Sequence, residues 1–422
     1  MSFTVCEQVL PMRNRILQRF FRNDRGNLSA VFALTLIPVI SLIGVGIDFT
    51  NSSKRKATLD AIADSASLAA VTPAMLSQSD SASVTAATNL FNAQVSSISG
   101  IGPVTLTVST QDTGLSRTVT VNYSTTSTAL FGKLVGKTSV ALSGTSAATG
   151  SVPPSIDFYL LLDNSPSMAI AATTAGINTM VANTPDQCAF ACHESDTAPN
   201  DYYGLARSLG VTLRMDLVRQ ATQNLMSTAQ STQTSNNAHY RAAIYTFNWG
   251  FNTIMSLNSS LTNAQSKAAN IDIYEVPYQN WNNDAITNYT NAMTQINSIM
   301  PNPGGGTKQA GDTPQEVLFF VTDGVEDETV GSSRVQSLMN NSYCTTIKNR
   351  GIRIAVLYTP YLPLPTNAWY NTYISPFQPN IGPNLQNCAS PGLYFQVSTD
   401  QDILGALVQL FNIAVLTAHL TK

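Results

Sequence analysis

The chain has 422 residues, enough for two or three domains. Only 11% of them are charged, against roughly 25% in an average soluble domain, and the net charge is −3. That balance does not suggest a nucleic-acid partner, and a polar surface built from Ser, Thr and Asn points to work outside the cytoplasm.

The first element is "LSAVFALTLIPVISLIGVGIDF", residues 28–49. It carries no charge over the 20 residues from Leu28 to Ile47. At about 1.5 Å per residue such a helix crosses a bilayer core of about 30 Å. A cleaved signal peptide has a shorter apolar core, about 7–15 residues, and a small-x-small exit. The exit here reads "GIDFTNSSKRK", so an uncleaved transmembrane anchor is expected, with Pro38 tolerated inside it. Arg13, Arg15, Arg19, Arg22 and Arg25 precede the span, and Lys54, Arg55 and Lys56 follow it. With the shorter tail deciding, residues 1–27 are placed in the cytoplasm and the chain beyond about residue 50 outside.

Behind the anchor, Leu59, Ile62, Ala63, Ala66, Leu68 and Ala69 recur at helical spacing, so one long helix should leave the membrane and become amphipathic. "SASVTAATNLFNAQVSSI" is a second helix. "VTLTVSTQ" (104–111) and "SRTVTVNYST" (116–125) alternate as a hairpin around "DTGL", "TALFGKLVG" reads as a short helix or turn, and "TSVALSGTSA" as a further strand. Residues 50–148 thus form a small α+β module, followed by a Gly/Pro/Ser linker at 149–155.

From 156 to 422 strands alternate with helices. Expected strands are 156–163, 240–248, 253–258, 316–324, 352–360 and 393–399. Expected helices are 214–230, 287–300, 334–351 and the terminal "DQDILGALVQLFNIAVL". "FYLLL", "LFFV" and "IAVLY" are apolar on both faces, as central strands of a doubly covered sheet must be. The fold class is α/β: an open, mostly parallel sheet with helices on both faces. An insertion at 171–210 and a Pro/Asn-rich loop at 361–390, which offers Trp369, Tyr370 and Tyr373 for partner contact, interrupt it.

Cys6 lies before the span; Cys188, Cys192, Cys344 and Cys388 lie after it, an even number in an oxidising space. Four cysteines allow three pairings. Cys188 with Cys192 and Cys344 with Cys388 is preferred, because the second pair would clip a long loop. A metal site from Cys188, Cys192 and His193 is the rival, without a second ligand cluster nearby in sequence.

Ligands of open α/β sheets bind at the carboxyl ends of the strands. Two apolar strands end there in acid: "YLLLD" in Asp163 and "FFVTD" in Asp323. Asp163 opens D-x-S-x-S with Ser165 and Ser167. All are hard oxygen donors, which suits Mg²⁺ foremost, with Mn²⁺ or Ca²⁺ possible, rather than zinc. The competing explanation is a turn whose Ser and Asp cap the next helix. "PGGGTK" is not a phosphate-binding loop, since its Thr precedes Lys308.

"DNSPS" behind "FYLLL", with "TDG" behind a later apolar strand, resembles the von Willebrand factor A domain and its metal-ion-dependent adhesion site. The resemblance implies that Asp163, Ser165, Ser167 and Asp323 surround the cation. A middle threonine should complete the set. Thr287 in "TNYTNAM" is preferred; Thr307 in "GGGTKQ" has the glycines but leaves too few residues before the strand at 316.

"RNDRGNLSAVFALTLIPVISLIGVGIDF", followed by "ATLDAIADSASLAAV", resembles the TadG-type component of tight-adherence (Flp) pilus assembly, in which a pilin-like anchor precedes such a domain. A processed pilin would carry Glu five residues after the glycine of "RG"; this chain has Val31, so cleavage and polymerisation are not expected. The resemblance implies a non-enzymatic, single-pass bacterial inner-membrane protein with its bulk in the periplasm. It would grip an acidic residue of a pilus-assembly or outer-membrane secretion component through the metal and touch lipid through residues 28–49. The alternatives are a surface adhesion protein with a vestigial metal site and a metal-dependent hydrolase. The latter finds little support, because His193, His239 and His419 lie away from the strand tips and no hydrolase motif occurs in context.

Overall fold

The computed structural model describes residues 27–189, 201–278, 280–307, 311–398 and 400–418, and the chain divides into two units between Ser151 and Val152.

In the first unit one helix, α1 (Asn27–Ala69), runs unbroken through Pro38. Residues 29–40 are all exposed, leaving their apolar side chains without protein cover. Among the described residues this is the one helix long and apolar enough to cross a membrane. Burial starts at Gly44, Asp48 and Ser52, one turn apart, and continues through Leu59, Ile62, Ala63 and Ala66. Leu68, expected on that stripe, is 61% exposed. Two residues past Ala66 it is turned by about 200° and faces away. A second helix, α2 (Asp80–Val95), starts at Ser79, whose hydroxyl accepts the Ala82 N–H. The antiparallel sheet has the order β1 (Thr105–Thr113), β2 (Ser116–Thr128), β3 (Ser139–Ser151), and Phe91 of α2 packs on Tyr123 of β2. The β1–β2 turn uses Gly114 at φ 59°, where a side chain would be strained. The linker is shorter than expected: Thr149, Gly150 and Ser151 pair with Thr118, Arg117 and Ser116, so only 152–154 connect the units. Ladder hydrogen bonds override a turn-like composition there.

The second unit holds a six-stranded sheet. Its strands are β4 (Ser155–Asp163), β5 (His239–Phe247), β6 (Phe251–Asn258), β7 (Gln315–Thr322), β10 (Arg353–Tyr358) and β11 (Tyr394–Gln396). The order is β11-β10-β7-β4-β5-β6, parallel throughout except for the β6 edge. All eight β7 residues are buried, as are Ile156–Asp163 of β4, so both faces are covered. On one face Phe158 meets Phe411 of α11 (Ile403–Thr417) at 5.2 Å between ring centroids. On the other, Phe320 and Phe247 meet Tyr289 of α7 (Tyr289–Ile299) at 5.8 and 5.4 Å. Asp163, the register partner of Phe247, belongs to this second face. The insertion contributes α3 (Thr174–Asn183) and α4 (Tyr202–Ser208) and leads to α5 (Arg214–Asn236); α6 (Leu261–Ala268) follows β6.

Two expected elements differ. Residues 334–351 are not one helix. Val325–Val330 (β8) and Ser333–Leu338 (β9) form a two-stranded hairpin around Gly331, and α8 begins only at Ser342, ending at Asn349. The long loop at 361–390 contains α9 (Ala368–Tyr373) and α10 (Gln378–Cys388). Of its aromatics, Tyr370 is buried with its hydroxyl on Gln378, Trp369 lies under the Arg334 guanidinium, and only Tyr373 is largely exposed. Cys344 of α8 and Cys388 of α10 are disulfide-bonded. The pairing of Cys188 with Cys192, and the rival metal site with His193, lie outside the described residues.

Candidate functional site

β4 and β7 are neighbours, so Asp163, the last residue of β4, and Asp323, the residue after β7, come to the same end of the sheet. Asp163 is fully buried and hydrogen-bonded on both oxygens. Oδ1 accepts the Ser165 N–H (3.0 Å) and the Ser165 hydroxyl (2.6 Å), and Oδ2 accepts the Thr322 hydroxyl (2.8 Å). Ser165 Oγ and Ser167 Oγ are 3.0 Å apart. The Thr322 hydroxyl also meets that of Tyr289 at 2.5 Å. Asp323 turns the chain sharply, with Gly324 next at φ 82°; a β-carbon there would lie 2.2 Å from Ile381 Cγ2. Burial first, and then the charge of Asp323, pushes the Asp163 carboxyl well above the usual carboxylate range.

Asp323 is not alone. Arg214, the first residue of α5, donates from Nη1 to Asp323 Oδ2 at 3.0 Å, and both side chains are 0% exposed. The guanidinium stands 4.9 Å from the centroid of Tyr361 and donates to the Pro360 carbonyl at 3.4 Å. One guanidinium thus faces two carboxyl groups in a dry place, which favours keeping a proton on Asp163 unless a cation joins them. Alongside, Tyr358, Pro360, Gln378, Gly382 and Gln396 help to line a cleft of about 380 Å³.

Asn164, between the two motif residues, ties three loops together. Its Oδ1 accepts from Asn248 (3.0 Å), its Nδ2 donates to the Asp272 carbonyl (3.0 Å), and its carbonyl accepts the Tyr274 N–H (2.8 Å). Thr287 reaches this end of the sheet through the backbone: it exchanges two 2.9 Å hydrogen bonds with Asp327, and Asn288 donates to the Asn248 carbonyl. Among the described residues no hydrogen bond joins the Thr287 hydroxyl to Asp163, Ser165, Ser167 or Asp323. Thr307 lies elsewhere. The Gly306 carbonyl beside it accepts the Ser155 N–H at the start of β4, and Thr307 itself bonds Asp312. The nine residues of β4 put that point roughly 26 Å from Asp163.

The donor chemistry fits a small hard cation. Neighbouring oxygens on an octahedral ion with bonds of about 2.1 Å stand about 3.0 Å apart, as the two serine hydroxyls do. Arg214, Thr322, Tyr289 and Asn164 carry no signature in the sequence. An arginine opening a helix normally reads as solvated, and only the closure of α5 over the sheet edge brings it to Asp323.

In sequence, an apolar helix long enough to cross a membrane precedes an open α/β sheet that carries an acidic-hydroxyl cluster at its carboxyl edge. Residues 26–75 match the family model described as "Putative Flp pilus-assembly TadE/G-like". Among curated proteins none matches the chain. Similar solved structures include BatB from Bacteroides thetaiotaomicron, at 13% identity and a TM-score of 0.33, covering 61% of this chain and 98% of that one. Another is the vWF domain of the type V pili tip protein Mfa5 from Porphyromonas gingivalis, at 9% identity and a TM-score of 0.35, covering 63% and 97%. A third is proximal thread matrix protein 1 from the mussel byssus, at 12% identity and a TM-score of 0.32; the match covers 63% of this chain but only 46% of the mussel protein.

Proposed function

We propose that this is a membrane-anchored assembly or adhesion protein of the Tad/Flp pilus type, and not an enzyme. In this reading α1 holds it in a bacterial inner membrane, with residues 1–27 cytoplasmic and the second unit periplasmic. Asp163, Ser165, Ser167 and Asp323 hold a divalent cation, Mg²⁺ first and Mn²⁺ or Ca²⁺ next, with Thr287 as the remaining candidate ligand. Once bound, the cation supplies an electropositive position for a carboxylate of another pilus-assembly or outer-membrane secretion component. The serine hydroxyls contribute ligand atoms without cancelling the ion's charge, so the attraction for an outside acid survives. Arg214 and Thr322 hold the two aspartates in place beneath it. The single observation that carries the reading is the meeting of two buried carboxyl groups, the buried Ser165 hydroxyl and the half-buried Ser167 hydroxyl at one strand edge, with a single guanidinium beside them.

The test is a triple variant, Asp163→Ala with Ser165→Ala and Ser167→Ala, in a Tad-piliated host. Loss of surface pili with the variant still in the membrane fraction is expected; normal piliation would refute the metal grip. One observation favours a second reading, an adhesion domain without a working metal site: the Arg214 guanidinium already neutralises Asp323. Under that reading divalent ions leave partner binding unchanged.

A further inference from the structure

Between β2 and β3 the chain turns through residues 129–138, with a single 3-10 turn at Gly132–Val135. This turn is fastened to α1 at positions one helical turn apart. Phe131 packs on Gly44 so closely that a β-carbon there would lie 2.4 Å from Phe131 Cβ. Asp48, 4% exposed, accepts the backbone N–H groups of Leu130 (2.9 Å), Phe131 (2.9 Å) and Gly132 (2.7 Å). Ser52 and Arg55 bond Ser127 at the base of the turn.

The apolar run of α1 extends to Ile47, so Gly44 stands about 4–5 Å inboard of its end. A membrane seated on Leu28–Ile47 therefore meets the turn at its hydrocarbon boundary. The side chains suit that level. Leu130, Leu134 and Val135 are 69%, 64% and 54% exposed, and Phe49, next to Asp48 in α1, is 71% exposed. Lys133 and Lys137, also exposed, are interleaved with them. Irregular backbone at membrane depth needs its N–H groups satisfied, and a carboxylate there needs donors. Asp48 and the turn satisfy each other.

We infer that residues 130–137 form a second lipid contact: Leu130, Leu134 and Val135 enter the acyl boundary where the span ends, and Lys133 and Lys137 meet anionic phosphates. Two features select lipid as the occupant. The patch is continuous with the uncovered apolar surface of α1, and the lysine ammoniums complement an anionic headgroup layer. The inference rests on the anchor reading of α1.

The test uses the full chain in vesicles of three parts brominated phosphatidylcholine to one part phosphatidylglycerol. Tryptophan is placed at Leu134→Trp, Ile37→Trp and Gln111→Trp, and the signal of Trp249, Trp281 and Trp369 is subtracted using the unaltered chain. Leu134→Trp should be quenched about twofold more by bromines near the headgroup than by bromines near the chain ends, Ile37→Trp the reverse, and Gln111→Trp scarcely at all. Omitting phosphatidylglycerol should weaken Leu134→Trp quenching, but not in the Lys133→Gln/Lys137→Gln background. An unquenched Leu134→Trp beside a quenched Ile37→Trp overturns the proposal while the anchor stands. If Ile37→Trp is also unquenched, the anchor reading itself falls, and the proposal with it.

Discussion

Asp323 and Arg214 form an ion pair with both side chains fully buried, and their environment decides what each substitution does. Neither charge can recruit water, so removing one strands the other. Arg214→Met is expected to cost about 3–5 kcal/mol in denaturant unfolding of the chain, with part of the loss recovered in Arg214→Met/Asp323→Asn. A loss below about 1 kcal/mol would mean that the pair is solvated. The same residues show what a sequence reveals of a site. Asp163 and Asp323 each interrupt an apolar run at its carboxyl end, and Ser165 and Ser167 follow at fixed spacing, so the cluster could be named before its geometry was known. Arg214 and Thr322 could not. A helix-opening arginine and a strand threonine are ordinary residues until register puts Thr322 beside Asp163 and α5 closes on Asp323.

At the scale of elements, the amino ends of the central strands hold two further buried carboxyl groups beside an exposed arginine. Glu316 of β7, Asp157 of β4 and Arg241 of β5 are register neighbours, and Arg241 pairs with Asp157. Burial, then the Asp157 charge, pushes Glu316 from its ordinary 4.5 up to about 8. Its proton is bound more tightly in the folded than in the unfolded chain, so folding stability falls as pH rises through that interval. The melting temperature of the chain should decline from about pH 4.5 towards pH 8, and Glu316→Gln should flatten the decline. An equal slope in the variant would assign the effect elsewhere. The disulfide that joins α8 to α10 closes a loop of 44 residues in sequence separation. Cys344→Ser/Cys388→Ser should lower stability by about 2–4 kcal/mol in non-reducing denaturant titration. The β8–β9 hairpin was illegible because "VEDETV" and "RVQSL" lack the apolar alternation that marks a half-buried strand. Their pairing is fixed by the turn at Gly331 and by Arg334 on Asp327. The central strands of the main sheet, β4, β7 and β10, were legible because central parallel strands must be apolar on both faces.

For the whole molecule, the order of parts follows from composition: an uncharged helical run, an alternating Thr/Val/Ser module, then apolar strands alternating with helices. What the chain does with them turns on whether the acidic-hydroxyl edge of the sheet takes up a cation. The most direct measurement is calorimetric titration of Mg²⁺, Mn²⁺ and Ca²⁺ into the full chain, in parallel with Asp323→Ala. Saturable binding of one ion per chain, lost in the variant, is the predicted result. No heat of binding with any of the three ions, or equal binding by Asp323→Ala, would contradict it.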